Sequence, residues 1–119
     1  MRDHTKLRAF VLADEIVLVI YRLTLKFPKE EIYGLTSQMR RAAISVSSNI
    51  VEGCARESKS EYVRFLDIAF GSLRELSYQF GIALRLGYTE DPDAESVKLK
   101  LLEAEKVLGA LIRSLRKRQ

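Results

Sequence analysis

Apolar residues recur at spacings of three and four along almost the whole chain, the period of α-helices that bury one side. Ala13, Ile16, Ile20, Leu23 and Phe27 open the series and predict a helix over about 7–27. Val11, Leu18 and Leu25 add a second stripe at sevens, and Leu12 and Val19 a third. Only Asp14, Glu15, Arg22 and Lys26 keep one edge wet. The stretch Ile16 to Ile20 would suit a strand if taken alone. The length of the pattern and the absence of Gly and Pro within it favour a helix, which Pro28 ends.

A second helix is expected over about 36–55, with Thr36 or Ser37 as N-cap. It has three faces. Met39, Ala43, Val46, Ile50 and Gly53 form one, Ser45, Asn49, Glu52 and Arg56 another, and Ile44, Ser48, Val51 and Ala55 the third. Such a helix is expected to touch other elements or other chains on several sides. Gly53 costs helix propensity, which points to the close approach of another backbone.

Ser58-Lys59-Ser60-Glu61 fits a capping box, the serine hydroxyl taking an orphan amide and Glu61 reaching back. The third helix, about 59–86, carries its core series on Tyr62, Phe65, Ala69, Leu73, Leu76, Phe80 and Ala83, with Val63 and Phe70 on another face. Gly87 is placed to end it in a left-handed cap. Asp91-Pro92 reads as N-cap and first helical residue of a fourth helix, about 92–116. Ala94, Val97, Leu101, Ala104, Leu108, Leu111 and Leu115 keep three-four spacing along it, the pattern of bundle packing. Four helices with short connections define the expected fold. It is all-α, an antiparallel up-down-up-down four-helix bundle forming one domain over 1–119.

Composition agrees with a packed helical domain. The 119 residues include only two prolines and six glycines, with 47% hydrophobic and 30% charged residues. That length buries a core without disulfides or a metal. The one cysteine, Cys54, cannot form an internal disulfide, which favours a reducing compartment. No secretory signal is visible, and the run Ile16 to Tyr21 is far shorter than the roughly 20 residues of a membrane span. A cytoplasmic protein without membrane contact is expected.

Catalytic chemistry finds little support. His4, the only histidine, precedes the first helix, which argues against a Ser-His-Asp or Cys-His arrangement inside the bundle. Cys54 lies near a helix C-terminus, where the dipole raises a thiol pKa, so buried packing is expected. The two Glu-x-x-His pairs of a di-iron bundle are absent, and the six glycines are isolated, with no phosphate loop. No enzyme activity, metal, cofactor or small-molecule substrate is expected. Ser48, Asn49 and Glu52 are expected to fix helix register or a subunit contact.

Charge says more. The net charge is +4. Arg40 and Arg41 open the second helix, Arg56 and Lys59 flank its end, Arg64 lies on the third, and Arg113, Arg116, Lys117 and Arg118 close the chain. These nine are the candidate nucleic-acid-binding residues, through phosphate rather than base contacts. Cations at a helix N-terminus oppose the dipole, so Arg40 and Arg41 call for a partner anion or a carboxylate, such as Glu52 or Glu57 of another chain. Ile44, Val51, Val63 and Phe70 exceed what a lone bundle needs to bury. With Ser48, Asn49 and Glu52 they form the candidate oligomer interface.

The segments FPKEEIYGLTSQMRRAA (Phe27 to Ala43), SNIVEG (Ser48 to Gly53) and FLDIAFGSLREL (Phe65 to Leu76) closely resemble the four-helix bundle proteins encoded in intervening sequences of bacterial large-subunit ribosomal RNA genes. Their relatives include the accessory protein of diversity-generating retroelements, which associates with a reverse transcriptase. The resemblance covers about the middle half of the chain. It implies a ring-shaped homopentamer of bundles. Two functions are expected on these grounds. The first is a homo-oligomeric accessory protein that binds structured RNA or an RNA/DNA hybrid through basic surface residues. The alternative is a structural or scaffolding assembly with a protein partner and no nucleic acid.

Overall fold

The computed structural model describes residues 2–118. Four helices carry them, α1 (Arg8–Thr24), α2 (Leu35–Cys54), α3 (Lys59–Arg85) and α4 (Asp93–Lys117), with 3-10 turns at His4–Lys6 and Lys29–Glu31. There is no strand among the described residues. Each helix packs on the next and α4 returns to α1, closing an antiparallel bundle of 47 × 24 × 20 Å. Side-chain pairs fix the directions. Lys26 beyond the end of α1 meets Asp93 at the start of α4 at 3.2 Å, and Arg116 near the end of α4 pairs with Asp67 near the start of α3.

The expected core series of α1, α2 and α3 are all buried, joined by Ala9, Ala42, Cys54 and Leu66. In α4 the series holds through Leu108 and then shifts. Ile112 and Gly109 are buried, whereas Leu111 and Leu115 are half-buried. A strict seven-residue repeat drifts by about 20° per heptad on a straight helix, so after two heptads the core position passes to the neighbouring residue. Gly53 lies where α2 and α3 come closest. A Cβ there would stand 2.9 Å from Phe65 Cβ and 3.3 Å from the Tyr62 carbonyl oxygen.

Several helix ends differ from expectation. Helix α1 stops at Thr24, where its hydroxyl donates to the Ile20 carbonyl at 2.7 Å, and not at Phe27. Helix α2 is capped neither by Thr36, which is buried, nor by Ser37; Gly34 is the N-cap. The orphan amide of Leu35 is taken instead by the Glu31 carboxylate of the preceding turn at 2.9 Å, and a Cβ on Gly34 would fall 2.5 Å from that oxygen. At α3, Ser58 Oγ accepts from the Glu61 amide at 3.1 Å as expected. Glu61 does not reach back. Its carboxylate pairs with Arg64 at 3.2 Å, a charge-assisted bond that outcompetes a neutral amide. Gly87 ends α3 at φ 76°, with Tyr88 N–H on the Ala83 carbonyl at 2.9 Å and Gly87 N–H on that of Leu84 at 3.0 Å. Pro92 is the N-cap of α4, in place of Asp91, and the helix begins at Asp93.

Candidate nucleic-acid interface

Antiparallel packing gathers the chain start, the α2–α3 connection and the last turns of α4 at one end of the bundle. Residues 2–8, 52–67 and 110–118 hold ten of the 20 Lys and Arg but only five of the 16 acidic residues. Two shallow hollows meet there. One, of about 460 Å³, is lined by Lys59, Ser60, Val63, Arg116 and Arg118; the other, of about 420 Å³, by Ala110, Arg113, Ser114, Lys117 and Arg118. Local sequence explains the clustering. Cations in the last turn of α4 meet its negative dipole end, while the first turn of α3 presents amides without intrahelical partners.

Seven of the nine candidate phosphate contacts lie at this end, in two groups. Arg56 pairs with Glu52 at 3.0 Å, Arg64 with Glu61, and Arg116 with Asp67. The Arg56 and Arg64 guanidinium groups also flank the Phe65 ring at 4.8 and 4.6 Å. Lys59, Arg113, Lys117 and Arg118 form no ion pair among the described residues.

Arg40 and Arg41 lie toward the opposite end. Arg40 Nε donates to Thr24 Oγ1 at 2.8 Å, its guanidinium also reaches the Tyr21 carbonyl at 3.4 Å, and it covers the Tyr21 ring at 4.7 Å. The group that the cation needs at the start of α2 is thus the negative C-terminal end of α1 in the same chain, with no foreign carboxylate involved. Arg41 is exposed on the groove between α2 and α3 and makes no ion pair among the described residues.

The candidate interface residues also divide. Ile44 and Val51 are 41% and 37% exposed on the outer side of α2, with Ser48 exposed between them. Asn49 instead turns along its own helix, donating to the Ser45 carbonyl at 2.8 Å and to Ser45 Oγ at 3.1 Å. Ser45 Oγ meets Ser72 Oγ across the helix pair at 2.8 Å, so this polar stripe sets the α2–α3 register. Glu52 is held by Arg56, Val63 floors the basic hollow, and Phe70 packs against the core beside Gly109. The most exposed regular apolar stripe is on the first helix and its end: Val11, Leu18 and Leu25 are 50%, 51% and 77% exposed. Its seven-residue spacing is legible in the sequence, yet it was not among the candidate interface residues.

Reactive groups are shut in. Cys54 is buried and burial pushes its thiol pKa up, while burial first, and the neighbouring Cys54 second, push Tyr62 up to about 12. Arg2 lies over the Tyr62 ring at 3.9 Å and donates to the Arg56 carbonyl at 2.7 Å, strapping the chain start across the α2–α3 turn. His4 stacks edge-on to Phe10 at 4.7 Å. Among the described residues no group of three His, Cys, Asp or Glu could hold a metal ion. No described helix is long and apolar enough to cross a membrane.

The fold and this surface define an all-α bundle with a basic end. Residues 5–110 match the 23S rRNA-intervening sequence protein family, and the chain belongs to that family. Its fold is similar to the crystal structure of a protein of unknown function from the S23 ribosomal protein family of Bacteroides thetaiotaomicron. The TM-score is 0.78 at 21% identity, over 87% of this chain and 97% of the other. No curated protein matches the chain.

Proposed function

We propose that this protein is a non-enzymatic, cytoplasmic, homo-oligomeric accessory protein that holds structured RNA, or an RNA/DNA hybrid, by its phosphates at the basic end of the bundle. The observation that carries this function is the cluster of Lys59, Arg113, Lys117 and Arg118, unpaired among the described residues, around two adjoining hollows. The first-turn amides of α3 reinforce it, because a helix N-terminus favours phosphate. Contacts of this kind read charge and shape and not sequence. Assembly would repeat the cluster once per subunit, and the resemblance implies five subunits. The outward stripe Val11, Leu18 and Leu25 supports an assembly, since regular exposed apolar stripes on soluble helices mark packing surfaces. It supports a second protein on that face equally well, which is the scaffolding alternative.

Titration of a fluorescent RNA hairpin by anisotropy at several salt concentrations tests the function. Four phosphates per subunit give a slope of log affinity on log salt of about −3. Reversing Arg113, Lys117 and Arg118 together to Glu should abolish binding while the helical circular dichroism signal stays unchanged. Wild-type protein that leaves the hairpin free at low salt would sink the proposal and leave the scaffold.

A further inference from the structure

On the groove between α2 and α3, away from the basic end, lies a cleft of about 430 Å³ lined by Gln38, Arg41, Ala42, Ser45, Ser72, Glu75 and Gln79. Its floor is the Ser45–Ser72 hydrogen bond. One helical turn beyond that contact Arg41 and Glu75 stand on opposite walls, and one turn further Gln38 and Gln79 do the same. Opposite charges at one level would ordinarily pair. Here, among the described residues, neither Arg41 nor Glu75 has any partner, and neither glutamine amide has one. Gln79 is only 5% exposed, and its Oε1 is buried without a hydrogen bond. Buried amides are nearly always bonded, and an unmet one is costly. Rotation about the last side-chain torsion can offer either its oxygen or its N–H2 to the cleft.

The cleft therefore sets two amides, one cation and one carboxylate around one open space, three of them exposed and the fourth, Gln79, with its buried Oε1 unpartnered among the described residues. A phosphate does not suit it, because Glu75 would repel the charge. A neutral, flat group with donors and an acceptor side by side does. We infer that the cleft takes one unpaired guanine base of the bound RNA. Guanine presents N1–H and N2–H as adjacent donors, which a carboxylate accepts together, and an O6 acceptor beside them for a guanidinium. Glu75 holds the donor pair, Arg41 meets O6, and the Gln38 and Gln79 amides take the remaining edge and the sugar. Splayed-out bases of single-stranded loops are what proteins read in RNA. At 1.5 Å per residue, Arg41 and Arg56 are about 22 Å apart along α2, a span of a few nucleotides. The inference rests on the proposed RNA function, and the test keeps the two apart.

The first measurement is an NMR titration with guanosine 5′-monophosphate, following the side-chain amide signals of Gln38 and Gln79, with inosine 5′-monophosphate as control. The guanine nucleotide should move both signals. Inosine lacks the N2 amino group and should move them at about tenfold higher concentration, the value of one lost good contact. The second is hairpin binding with a single guanine or inosine in a uridine loop. Glu75→Gln should erase the roughly tenfold preference for guanine, and Arg41→Ala should weaken binding to the guanine and inosine loops alike, because both bases keep O6. Equal affinity for both loops, with a steep salt slope and unmoved glutamine signals, overturns the guanine site and leaves phosphate binding standing. Unmoved signals and no hairpin binding overturn both. Signals that move equally with either nucleotide reject guanine recognition, and a cleft filled by water alone gives no movement at all.

Discussion

Gly53, Gly71 and Gly81 all lie inside helices, where glycine is the weakest former after proline, yet their surroundings separate them. Gly53 abuts Phe65 and Tyr62 of α3, and an added methyl has no room. No atom lies within 4 Å of a Cβ built on Gly71 or on Gly81. Gly71→Ala and Gly81→Ala should each stabilise the fold by about 1 kcal/mol through helix propensity. Gly53→Ala should destabilise it by about 1–3 kcal/mol despite the same propensity gain, because the helices must move apart. Urea melts of the three variants check both signs, and a stabilised Gly53→Ala would mean that the α2–α3 contact yields easily. The close approach at Gly53 was legible in the sequence as a glycine among core positions. The partner of Arg40 was not, because its acceptors, the Thr24 hydroxyl and the Tyr21 carbonyl, become neighbours only when α1 and α2 fold together. Of the cleft residues only Arg41 was a candidate from sequence, yet the others left a signal too. Gln38, Arg41 and Ser45 on α2, and Ser72, Glu75 and Gln79 on α3, are polar stripes at three-four spacing.

At the level of elements, apolar periodicity places all four helices, since that signal comes from the core that each one shares. Helix ends follow local chemistry, and there the sequence is legible only when the capping residue is adjacent. Ser58 and Gly87 are such cases. The start of α2 is not, because its cap is the side chain of Glu31, reaching from a turn that also meets the Tyr88 hydroxyl at 2.8 Å. One carboxylate thus ties the α1–α2 connection to the α2 N-terminus and to the end of α3. The Leu35 amide, first, and the Tyr88 hydroxyl hold its pKa below the ordinary 4.5. A lowered folded-state pKa means that the unfolded chain binds the proton more tightly. The added stability is therefore present above about pH 4.5 and is lost as the pH falls through the folded value. Glu31→Gln keeps an acceptor oxygen but not the charge. The variant should melt below wild type at neutral pH, with the gap closing as the pH drops below about 4.5. A gap that stays constant across that range would show that the carboxylate's ionisation is not linked to folding.

For the whole molecule, the arrangement of charge and apolar surface matters more than either amount. A net charge of +4 is modest, but antiparallel topology concentrates cations at one end of a body 47 Å long. The outward stripe Val11, Leu18 and Leu25 runs along the same long axis. Bundles packed side by side in the same sense through that stripe would align their basic ends on one rim. Phosphate contacts on neighbouring subunits would then act together, and linked weak sites gain far more than the affinity of one. Leu18→Glu with Leu25→Glu places charge on the two most exposed positions of the stripe and touches no core residue. The double variant should keep its helical signal and melting temperature, yet fall to the 13.6 kDa mass of one chain in light scattering. RNA affinity should drop by about 100-fold or more, although every basic residue is untouched. An unchanged mass would move the subunit contact to another face, with Ile44 and Val51 next in line. A monomeric wild type would remove the assembly altogether and leave each bundle with only its own Lys59, Arg113, Lys117 and Arg118 to hold RNA at the basic end.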